Sequence, residues 1–345
     1  MKIVIAPDSY KECLSAPEVA SIVAEELRRC RPDVETVECP LSDGGEGFLE
    51  VVTAALGGCL VRAAVTGPMG ERVEACFGRA GETGIIDAAS ASGLMRVPPE
   101  RRNPLLATSL GTGELMVAAF RSGCRRLLIG LGGTATCDGG EGMMRAEGID
   151  ALRGRVEIEA LCDVDNPFVG PRGAARVFAP QKGAGPEMVE MLEERMVARA
   201  GKMLEETGTD VARMPGAGAA GGLAGALVAY FGAKLVPGID SVLRYVDFEG
   251  KAVGADFIIT GEGKSDSQTL MGKVPFGVLR HSGGVPVLLL SGRIDEAQAL
   301  LDAGFAAIAE VSPRDLPLRE ALRPEVAAEN LRRAVSGRLK KCLYL

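Results

Sequence analysis

The alternation of apolar and polar residues at the start of the chain predicts a strand, a helix and a second strand. The runs "KIVIAPD" and "VETVECPL" are short and rich in Val and Ile, as strands are. Between them, "SAPEVASIVAEELRRC" repeats its apolar positions every three or four residues, as a helix with one buried face does. Ser15 and Glu18 have the spacing of a capping box, so we expect this helix to begin just after Ser15.

The same rhythm returns near the end of the chain. Strands are predicted in "DFIITGEG", "VPVLLLSG" and "FAAIAEVS", and helices in "GKVPFGVLRHSGG" and "EAQALLDAG". Together with the two opening strands, these three give five strands that are separated by helices. Such an order favours one parallel sheet with helices on its faces, in which the carboxyl ends of the strands share one edge.

The middle of the chain has a different pattern. Short apolar runs separated by glycine-containing turns predict an antiparallel meander over residues 60–88. Beyond it we expect a helix in "TGELMVAAFRSG", strands in "RLLIGLGG" and "VEIEAL", and a long helix in "PEMVEMLEERMVARAGKMLEETG". The sequence therefore predicts a discontinuous α/β domain of residues 1–59 and 255–345, with a second, mixed α/β domain of residues 60–254 inserted into it.

Composition supports a layered α/β fold and points to the loops. Of the 345 residues, 47% are hydrophobic but only 4% are aromatic, so small aliphatic side chains must fill the core. The 46 glycines are well above average usage and cluster in "LIGLGGTATCDGG", "PGAGAAGGLAG" and "IITGEGKSDS". Because these clusters follow apolar runs, we interpret them as strand-end loops that meet a ligand.

Charge and cysteine content exclude several classes of protein. A net charge of −7 without a basic stripe argues against a nucleic-acid partner. The nine cysteines are odd in number and have no CxxC spacing, which argues against a disulfide framework and a zinc ribbon. With neither a signal-peptide pattern nor a run of transmembrane length, the sequence predicts a cytoplasmic protein without a membrane partner.

Candidate chemistry lies where the predicted strands end. "DGGEG" occurs twice, at residues 43–47 and 138–142, and bare glycines beside carboxylates indicate a binding loop. Lysines and hydroxyls accompany these acids, and this mixture is typical of phosphoryl transfer with magnesium. The acids that follow strands are Asp8, Asp43, Asp163, Asp165 and Asp266, and the nearby lysines are Lys11, Lys182, Lys264 and Lys273.

Standard motifs for other chemistries are incomplete. "GEGKS" ends like a phosphate-binding loop, but Ile258 stands where that motif needs its first glycine. "GLGGTA" fits only a loose dinucleotide fingerprint. The single histidine, His281, has no evident partner, and no serine lies in a GxSxG elbow, so a serine hydrolase is disfavoured. A nicotinamide-dependent oxidoreductase and a non-catalytic nucleotide-binding protein remain alternatives to a kinase.

Longer strings identify a resemblance that runs in order over nearly the whole chain. The sequence resembles the bacterial glycerate kinase family of the first class in "APDSYKECLSA", "PLSDGGEGF", "GLGGTATCDGG", "CDVDNPFVGPRGAARVFAPQKGA" and "ADFIITGEGKSDSQTLMGKVPFGV". The resemblance implies ATP-dependent phosphorylation of D-glycerate, usually on the 2-hydroxyl. It also implies an active site in a cleft between a flavodoxin-like or Rossmann-like domain and an inserted domain. A kinase for another small hydroxy acid is the nearest alternative.

Matching the family motifs position by position gives a candidate site. As hypotheses, Asp266 or Asp43 is the base, Lys11 and Lys182 are the phosphate-binding cations, and the turn at 132–134 is a phosphate cradle. The substrate-binding and phosphate-binding candidates are Asp8, Ser9, Gly44, Gly45, Glu46, Gly132, Gly133, Thr134, Asp138, Asp163, Asn166, Gln181, Lys182, Glu262, Gln268 and Lys273. ATP and Mg²⁺ are the expected cofactors, and no metal ligand is assigned.

One segment departs from the family pattern. Between Met144 and Glu157 the family normally carries a longer stretch than the "MRAEGIDALRGRVE" found here. Glu141 also stands where the family usually has a small residue, so the second "DGGEG" owes its glutamate to this chain. We therefore interpret the first copy as a functional loop, and the second as functional through Asp138 and its glycines.

Overall fold

The computed structural model describes residues 1–339. Its strands are β1 (Lys2–Ile5), β2 (Glu35–Glu38), β3 (Cys59–Thr66), β4 (Arg72–Ala80), β5 (Thr83–Asp87), β6 (Arg126–Gly130), β7 (Glu157–Leu161), β8 (Lys234–Val236), β9 (Phe257–Thr260), β10 (Lys264–Ser265), β11 (Val287–Ser291), β12 (Arg293–Ile294) and β13 (Ala307–Glu310). Its α-helices are α1 (Ala16–Cys30), α2 (Phe48–Ala55), α3 (Ala88–Ser92), α4 (Leu110–Arg121), α5 (Ala174–Phe178), α6 (Pro186–Thr207), α7 (Leu223–Phe231), α8 (Gly238–Tyr245), α9 (Phe248–Ala252), α10 (Val274–Arg280), α11 (Ala297–Asp302), α12 (Leu318–Ala321) and α13 (Pro324–Ala334).

The first sheet joins strands from both ends of the chain. Its order is β13-β11-β9-β1-β2, and every neighbouring pair is parallel. In β1, Ile3 pairs with Thr36 of β2 on one side and with Phe257 of β9 on the other. The inner strands β1, β9 and β11 are almost wholly buried, as expected for a parallel sheet that helices cover on both faces. The prediction of one five-stranded parallel sheet is confirmed.

Helix α1 shows why these sequences form these elements. The Glu18 N–H donates to Ser15 Oγ over 3.4 Å, and the Ser15 N–H donates back to the Glu18 carboxylate over 2.8 Å. This is the predicted capping box, and such a cap contributes about 1 kcal/mol. Val19, Val23 and Leu27 recur on one face of α1 and pack into the core formed with β1 and α13.

The second sheet has the order β3-β4-β5-β6-β7-β8 and mixes two directions. Strands β3, β4 and β5 form the predicted antiparallel meander, and β5 to β8 continue the sheet in parallel. Helices α4, α6 and α7 bury their apolar faces in the same core, where Leu115, Met196 and Phe168 lie. The predicted strands in "RLLIGLGG" and "VEIEAL" are β6 and β7.

Backbone contacts divide the chain into two compact units. The first consists of residues 1–51 and 239–345, and the second of residues 52–238. The first boundary falls within α2, and α8 and α9 group with the first unit. The domain boundaries inferred from the sequence, 59/60 and 254/255, stay a prediction beside this contact-based division.

The longest helix among residues 1–339 is α6, with 22 residues. None of the helices in this range combines the length and the apolar composition that crossing a bilayer requires.

Candidate active site

The loop after β1 carries two buried polar side chains, Asp8 and Ser9. The Asp8 N–H donates to the Gly261 carbonyl over 2.9 Å, which ties this loop to the end of β9. The Ser9 N–H donates to Asp8 Oδ1 over 2.7 Å. Although the Ser9 hydroxyl is buried, it has no hydrogen-bond partner within residues 1–339. Because buried hydroxyls are almost always satisfied, this one is available to a ligand.

The electrostatics of this loop depend on its acidic neighbours. Burial, followed by the negative charges of Asp43 and Glu262, raises the pKa of Asp8 from 3.8 to about 8. The hydrogen bond from the Ser9 N–H and the positive charge of Lys11 oppose this rise. A carboxyl group with so displaced a pKa is typical of a functional site. The structure thus brings Asp43 and Glu262 within electrostatic reach of Asp8 in the first unit.

The first "DGGEG" forms the loop between β2 and α2. Asp43 Oδ1 accepts a hydrogen bond from the Gly45 N–H over 3.1 Å. Ser42 Oγ accepts from the Gly44 N–H over 3.2 Å and donates to the Glu46 carbonyl over 3.0 Å. Gly44 has φ of +93°, a backbone angle that favours glycine. Among the described residues, Asp43 Oδ2 has no hydrogen-bond or ion-pair partner, so one carboxylate oxygen is left for chemistry.

Glu262 is a buried centre of hydrogen bonds beyond β9. Its Oε1 accepts from Ser265 Oγ over 3.0 Å and from Thr269 Oγ1 over 2.6 Å, and its Oε2 lies 3.4 Å from Lys273 Nζ. Ser265 Oγ lies 2.7 Å from Ser291 Oγ, at the end of β11. Glu262 is therefore already compensated by hydroxyls and a lysine, and its main effect is to fix the shape of this loop.

Asp266, a candidate base from the sequence, caps the short 3₁₀ turn that follows it. Its Oδ1 accepts from the Gln268 N–H over 2.9 Å, and its Oδ2 lies 3.6 Å from Lys264 Nζ. Lys264 Nζ also lies 3.1 Å from Asp295 Oδ2. The Gln268 side chain is exposed. Because both Asp266 oxygens have partners, this carboxylate is less well prepared to accept a proton than Asp43 is.

Lys11 lies exposed at the rim of the same loop. It forms no ion pair within residues 1–339, yet its charge lowers the pKa of Asp8. This exposed ammonium group is therefore close to the acidic loop and has no carboxylate partner of its own.

In the second unit, β6 runs into the glycine turn that contains Gly132 and Gly133. Gly133 is exposed and has φ of +67°. Thr134 and Lys182 meet behind this turn: Lys182 Nζ donates to Thr134 Oγ1 over 3.2 Å and to the Thr136 carbonyl over 2.7 Å. The glycine turn and the lysine predicted for phosphate binding are thus adjacent in the structure.

Lys182 is only 4% exposed. Burial lowers its pKa to about 8, although the nearby Cys137 and Asp138 favour the charged form. No carboxylate lies within ion-pair distance of Lys182 in the described part of the chain. An ammonium group has three N–H donors and only two are used here, so the third is available to an anionic ligand.

Asp138, in the second "DGGEG", accepts hydrogen bonds at both carboxylate oxygens from backbone and hydroxyl donors. Its Oδ2 accepts from the Ser109 N–H and Ser109 Oγ over 2.8 Å each, and from the Gly142 N–H over 3.0 Å. Its Oδ1 accepts from the Gly140 N–H over 3.1 Å. The carboxylate therefore holds the glycine loop against the start of α4. The sequence carried no signal for Ser109, because the predicted helix begins at Thr112 and only the structure shows that α4 begins directly after Ser109.

The second of the three glycine clusters corrects one sequence interpretation. The sequence predicts that "PGAGAAGGLAG" follows a strand, but it follows α6 and forms a 3₁₀ turn, Ala219–Gly222, that leads into α7. Its contact with a ligand stays a prediction. The Gly139 N–H donates to the Gly221 carbonyl over 3.0 Å. A Cβ on Gly221 would lie 2.0 Å from the Thr136 carbonyl oxygen. These glycines let two backbone segments approach closely, and they support the 136–142 loop from behind.

The remaining candidates lie after β7 and in the turn before α6. Asp163 Oδ1 accepts from the Gly238 N–H over 2.7 Å, and Asn166 Nδ2 donates to the Arg172 carbonyl over 2.8 Å. Gln181 is exposed. The structure gives Asp163 and Asn166 loop-shaping hydrogen bonds, and the involvement of all three residues in substrate binding stays a prediction.

Comparison with known proteins assigns the family. The sequence pattern of the Glycerate kinase family matches residues 3–155 and 147–341. Glycerate kinase of Bacillus subtilis (strain 168) is 41% identical, with all of both chains covered. This chain belongs to the glycerate kinase family. Glycerate 2-kinase of Escherichia coli (strain K12) is also 41% identical, over 93% of this chain and 94% of the relative.

A solved structure agrees with this family assignment. The crystal structure of a Salmonella typhimurium LT2 protein, provisionally assigned as glycerate kinase 2, has a TM-score of 0.86 and 40% identity, with complete coverage of both chains.

The family match divides into two parts at the segment 144–157, which is shorter here than in the family pattern. Its two parts overlap at residues 147–155, inside the segment 144–157. The alignment with the B. subtilis enzyme spans 383 positions, more than the 345 residues of this chain, so the relative contains residues without a counterpart here. In this chain the segment forms a 3₁₀ turn, Ile149–Leu152, whose Ile149 and Leu152 are buried in the core of the second unit.

Proposed function

We propose that this protein transfers the γ-phosphoryl group of ATP to the 2-hydroxyl of D-glycerate. The observation that carries the proposal is the set of Asp8, Ser9 and Asp43 in the loops after β1 and β2, in a chain of the glycerate kinase family. Carboxylates beside an unsatisfied hydroxyl, with lysines nearby, are the groups that phosphoryl transfer to an alcohol requires. The relatives named glycerate kinase and glycerate 2-kinase support the choice of substrate and of hydroxyl.

We assign proton acceptance to Asp43 rather than to Asp266. Asp43 keeps Oδ2 without a partner among residues 1–339, whereas Asp266 uses one oxygen for the Gln268 N–H and places the other near Lys264. A general base must bring an oxygen within hydrogen-bond reach of the substrate hydroxyl. In this assignment Asp266 positions its loop. The substrate oxygen forms a bond to the γ-phosphorus as the bond from that phosphorus to the bridging oxygen of ADP breaks, and the hydroxyl proton passes to Asp43.

The acidic loop also fits a magnesium ion. Asp8 is buried beside the negative charge of Asp43, and the neighbouring Ser9 hydroxyl has no partner in the described chain. Both features suit a hard cation, which takes oxygen ligands and often only one or two protein carboxylates. Asp8 would hold the ion, with Ser9 beside it. When bound, magnesium would neutralise charge on the phosphate oxygens.

Two lysines supply fixed positive charge. Lys182, held by Thr134 and the Thr136 carbonyl, keeps one N–H for a phosphate oxygen, and the N–H groups of the Gly132–Gly133 turn are suited to the same ligand. Lys11 supplies a second, exposed positive charge at the acidic loop. Positive charges of this kind stabilise charge that develops on a transferred phosphoryl group, which is the main contribution a protein makes to such a reaction.

The test is magnesium-dependent ADP release from ATP with D-glycerate, L-glycerate and a panel of related hydroxy acids. We expect turnover that D-glycerate stimulates most, and phosphorus NMR should place the new phosphate on the 2-hydroxyl. Preferential turnover of another acid would assign a different substrate, and a phosphate on the 3-hydroxyl would refute the proposed regiochemistry. Binding of ATP without stimulated turnover would contradict the kinase proposal as a whole.

A further inference from the structure

A polar cavity lies within the second unit, next to the loop whose Thr136 carbonyl accepts a hydrogen bond from Lys182. It has a volume of about 560 Å³. Its walls are the loop at residues 104–108, the 137–145 segment that contains the second "DGGEG", and one face of α6. The proposed phosphoryl transfer assigns no role to this cavity.

The charges of α6 are segregated toward this cavity. The helix contains three basic residues, Arg195, Arg199 and Lys202, and all three line the cavity. It also contains six glutamates, and none of them lines it. A solvated helix face normally intersperses both signs, so the separation indicates a surface that is selective for anions.

The two arginines have no acidic partner. Arg195 Nη1 donates to the Leu105 carbonyl over 3.1 Å, and Arg199 Nε donates to the Gly139 carbonyl over 3.4 Å. Neither forms an ion pair within residues 1–339, and Arg199 Nη2 is buried without any hydrogen-bond partner in that range. A buried guanidinium nitrogen is seldom left unsatisfied, which points to a missing acceptor.

The acids at the cavity do not cancel this charge. Asp138 is occupied by Ser109, Gly140 and Gly142. Glu141 pairs with Arg145, the fourth cation of the lining. Lys202 Nζ lies 3.6 Å from Glu206 Oε1 on the same helix, so the surplus consists of the Arg195 and Arg199 charges, in a protein whose net charge is −7.

We propose that this cavity binds a small organic anion with at least two negative charges, of the phosphate-ester class. Arginine forks match phosphate oxygens in pairs, and the cavity is large enough for an ester rather than only an inorganic ion. Arg145 lies directly before residues 147–155, where the two parts of the family match overlap. The proposal does not depend on the kinase assignment.

The experiment is titration calorimetry of the full chain with glycerol 2-phosphate. A non-hydrolysable ATP analogue and D-glycerate are present at saturation, so that other anion sites are filled. The test variant is the double substitution Arg195→Gln with Lys202→Gln, because both side chains are exposed and the fold should survive. The control Arg213→Gln removes one positive charge at an exposed position outside the cavity, whereas the double variant removes two.

We expect the wild type and Arg213→Gln to bind the ester equally, and the double variant to bind at least tenfold more weakly. Citrate, a polycarboxylate of similar charge, should bind more weakly than the ester, and equal or tighter citrate binding would overturn the phosphate-ester assignment. Unchanged affinity in the double variant, or no binding to the wild type, would overturn the anion site. Thermal unfolding that is the same in all three proteins would exclude misfolding as the cause of a loss.

Discussion

The two copies of "DGGEG" have the same letters and different chemistry. In the first copy, Asp43 accepts one backbone hydrogen bond and keeps an oxygen without a partner in the described chain. In the second, Asp138 accepts four hydrogen bonds, two of them from Ser109, which lies 29 positions earlier. The glycines give both loops the same freedom, but a distant serine turns the second aspartate into a structural anchor.

The largest expected effect concerns the first copy. We expect Asp43→Asn to lower kcat by at least about 100-fold, because general base catalysis contributes on that order. Stability should change by less than about 1 kcal/mol, since the amide oxygen can still accept from the Gly45 N–H. Steady-state kinetics and urea unfolding measure the two quantities.

Asp315→Asn, at an exposed acid of the same unit, is the matched control and should leave kcat unchanged. A kcat for Asp43→Asn within a few fold of the wild type would remove Asp43 from the mechanism.

The second copy should respond mainly in stability. Asp138→Asn places an NH₂ group or a neutral oxygen where Ser109 and two glycine N–H groups now donate to a carboxylate. We expect a loss of about 2–4 kcal/mol in the free energy of unfolding, because charge-assisted bonds are replaced by unsatisfied donors. Asp150→Asn, at an exposed ion pair, is the control. A fully stable Asp138→Asn protein would show that the anchoring role is wrong.

The pH dependence of stability should report the acidic neighbourhood of the first copy. The folded protein holds the Asp8 proton up to about pH 8, whereas the unfolded chain releases it near 3.8. The folded state therefore binds more protons in this window, and Asp8 makes stability fall as pH rises from about 4 to about 8.

We expect the free energy of unfolding of Asp8→Asn, measured in urea, to rise relative to that of the wild type between pH 5 and pH 8. In an Asp43→Asn background this rise should be smaller, because one of the charges that raise the pKa of Asp8 is gone. A difference that does not change with pH would contradict the assigned environment.

The smallest expected effects concern Glu46 and Glu141, the glutamates of the two "DGGEG" copies. Glu141 pairs with Arg145 at the surface, and such pairs contribute about 0–1 kcal/mol to stability. We therefore expect Glu141→Gln to change the free energy of unfolding by less than about 0.5 kcal/mol and to leave kcat unaltered. Glu46 is exposed beside Asp43, and we expect Glu46→Gln to lower kcat/KM by about tenfold. Equal kinetics for the two variants would contradict the functional difference between the loops.

Local patterns predicted most of the elements that carry the site. The capping box of Ser15 and Glu18 and the apolar runs of β1, β9 and β11 depend on neighbours in sequence, so they could be identified from the chain. Residues 212–253 were harder to interpret. Helix α7 is apolar all round, and β8 has three residues, so neither has a clear period.

The roles of several side chains could not be predicted, because they depend on contacts between residues that are far apart in the sequence. Thr269 and Ser291 satisfy the loop around Glu262, and only folding shows that they meet there. Lysine is a residue type that is usually exposed, but Lys182 is buried against Thr134, which lies 48 positions earlier in the sequence. Motif matching located Lys182, whereas its unused donor could be seen only in the structure.

The pairing of β1 with β9 has a consequence for synthesis. Ile3 finds its partner Phe257 only after about 250 further residues have left the ribosome, which takes roughly 10–50 s at about 5–20 residues per second. The contiguous residues 52–238 can fold during that interval, while β1 and β2 wait without their central partner. Their apolar edge is then open to wrong pairing, so the nascent protein is most vulnerable to aggregation before its last hundred residues emerge.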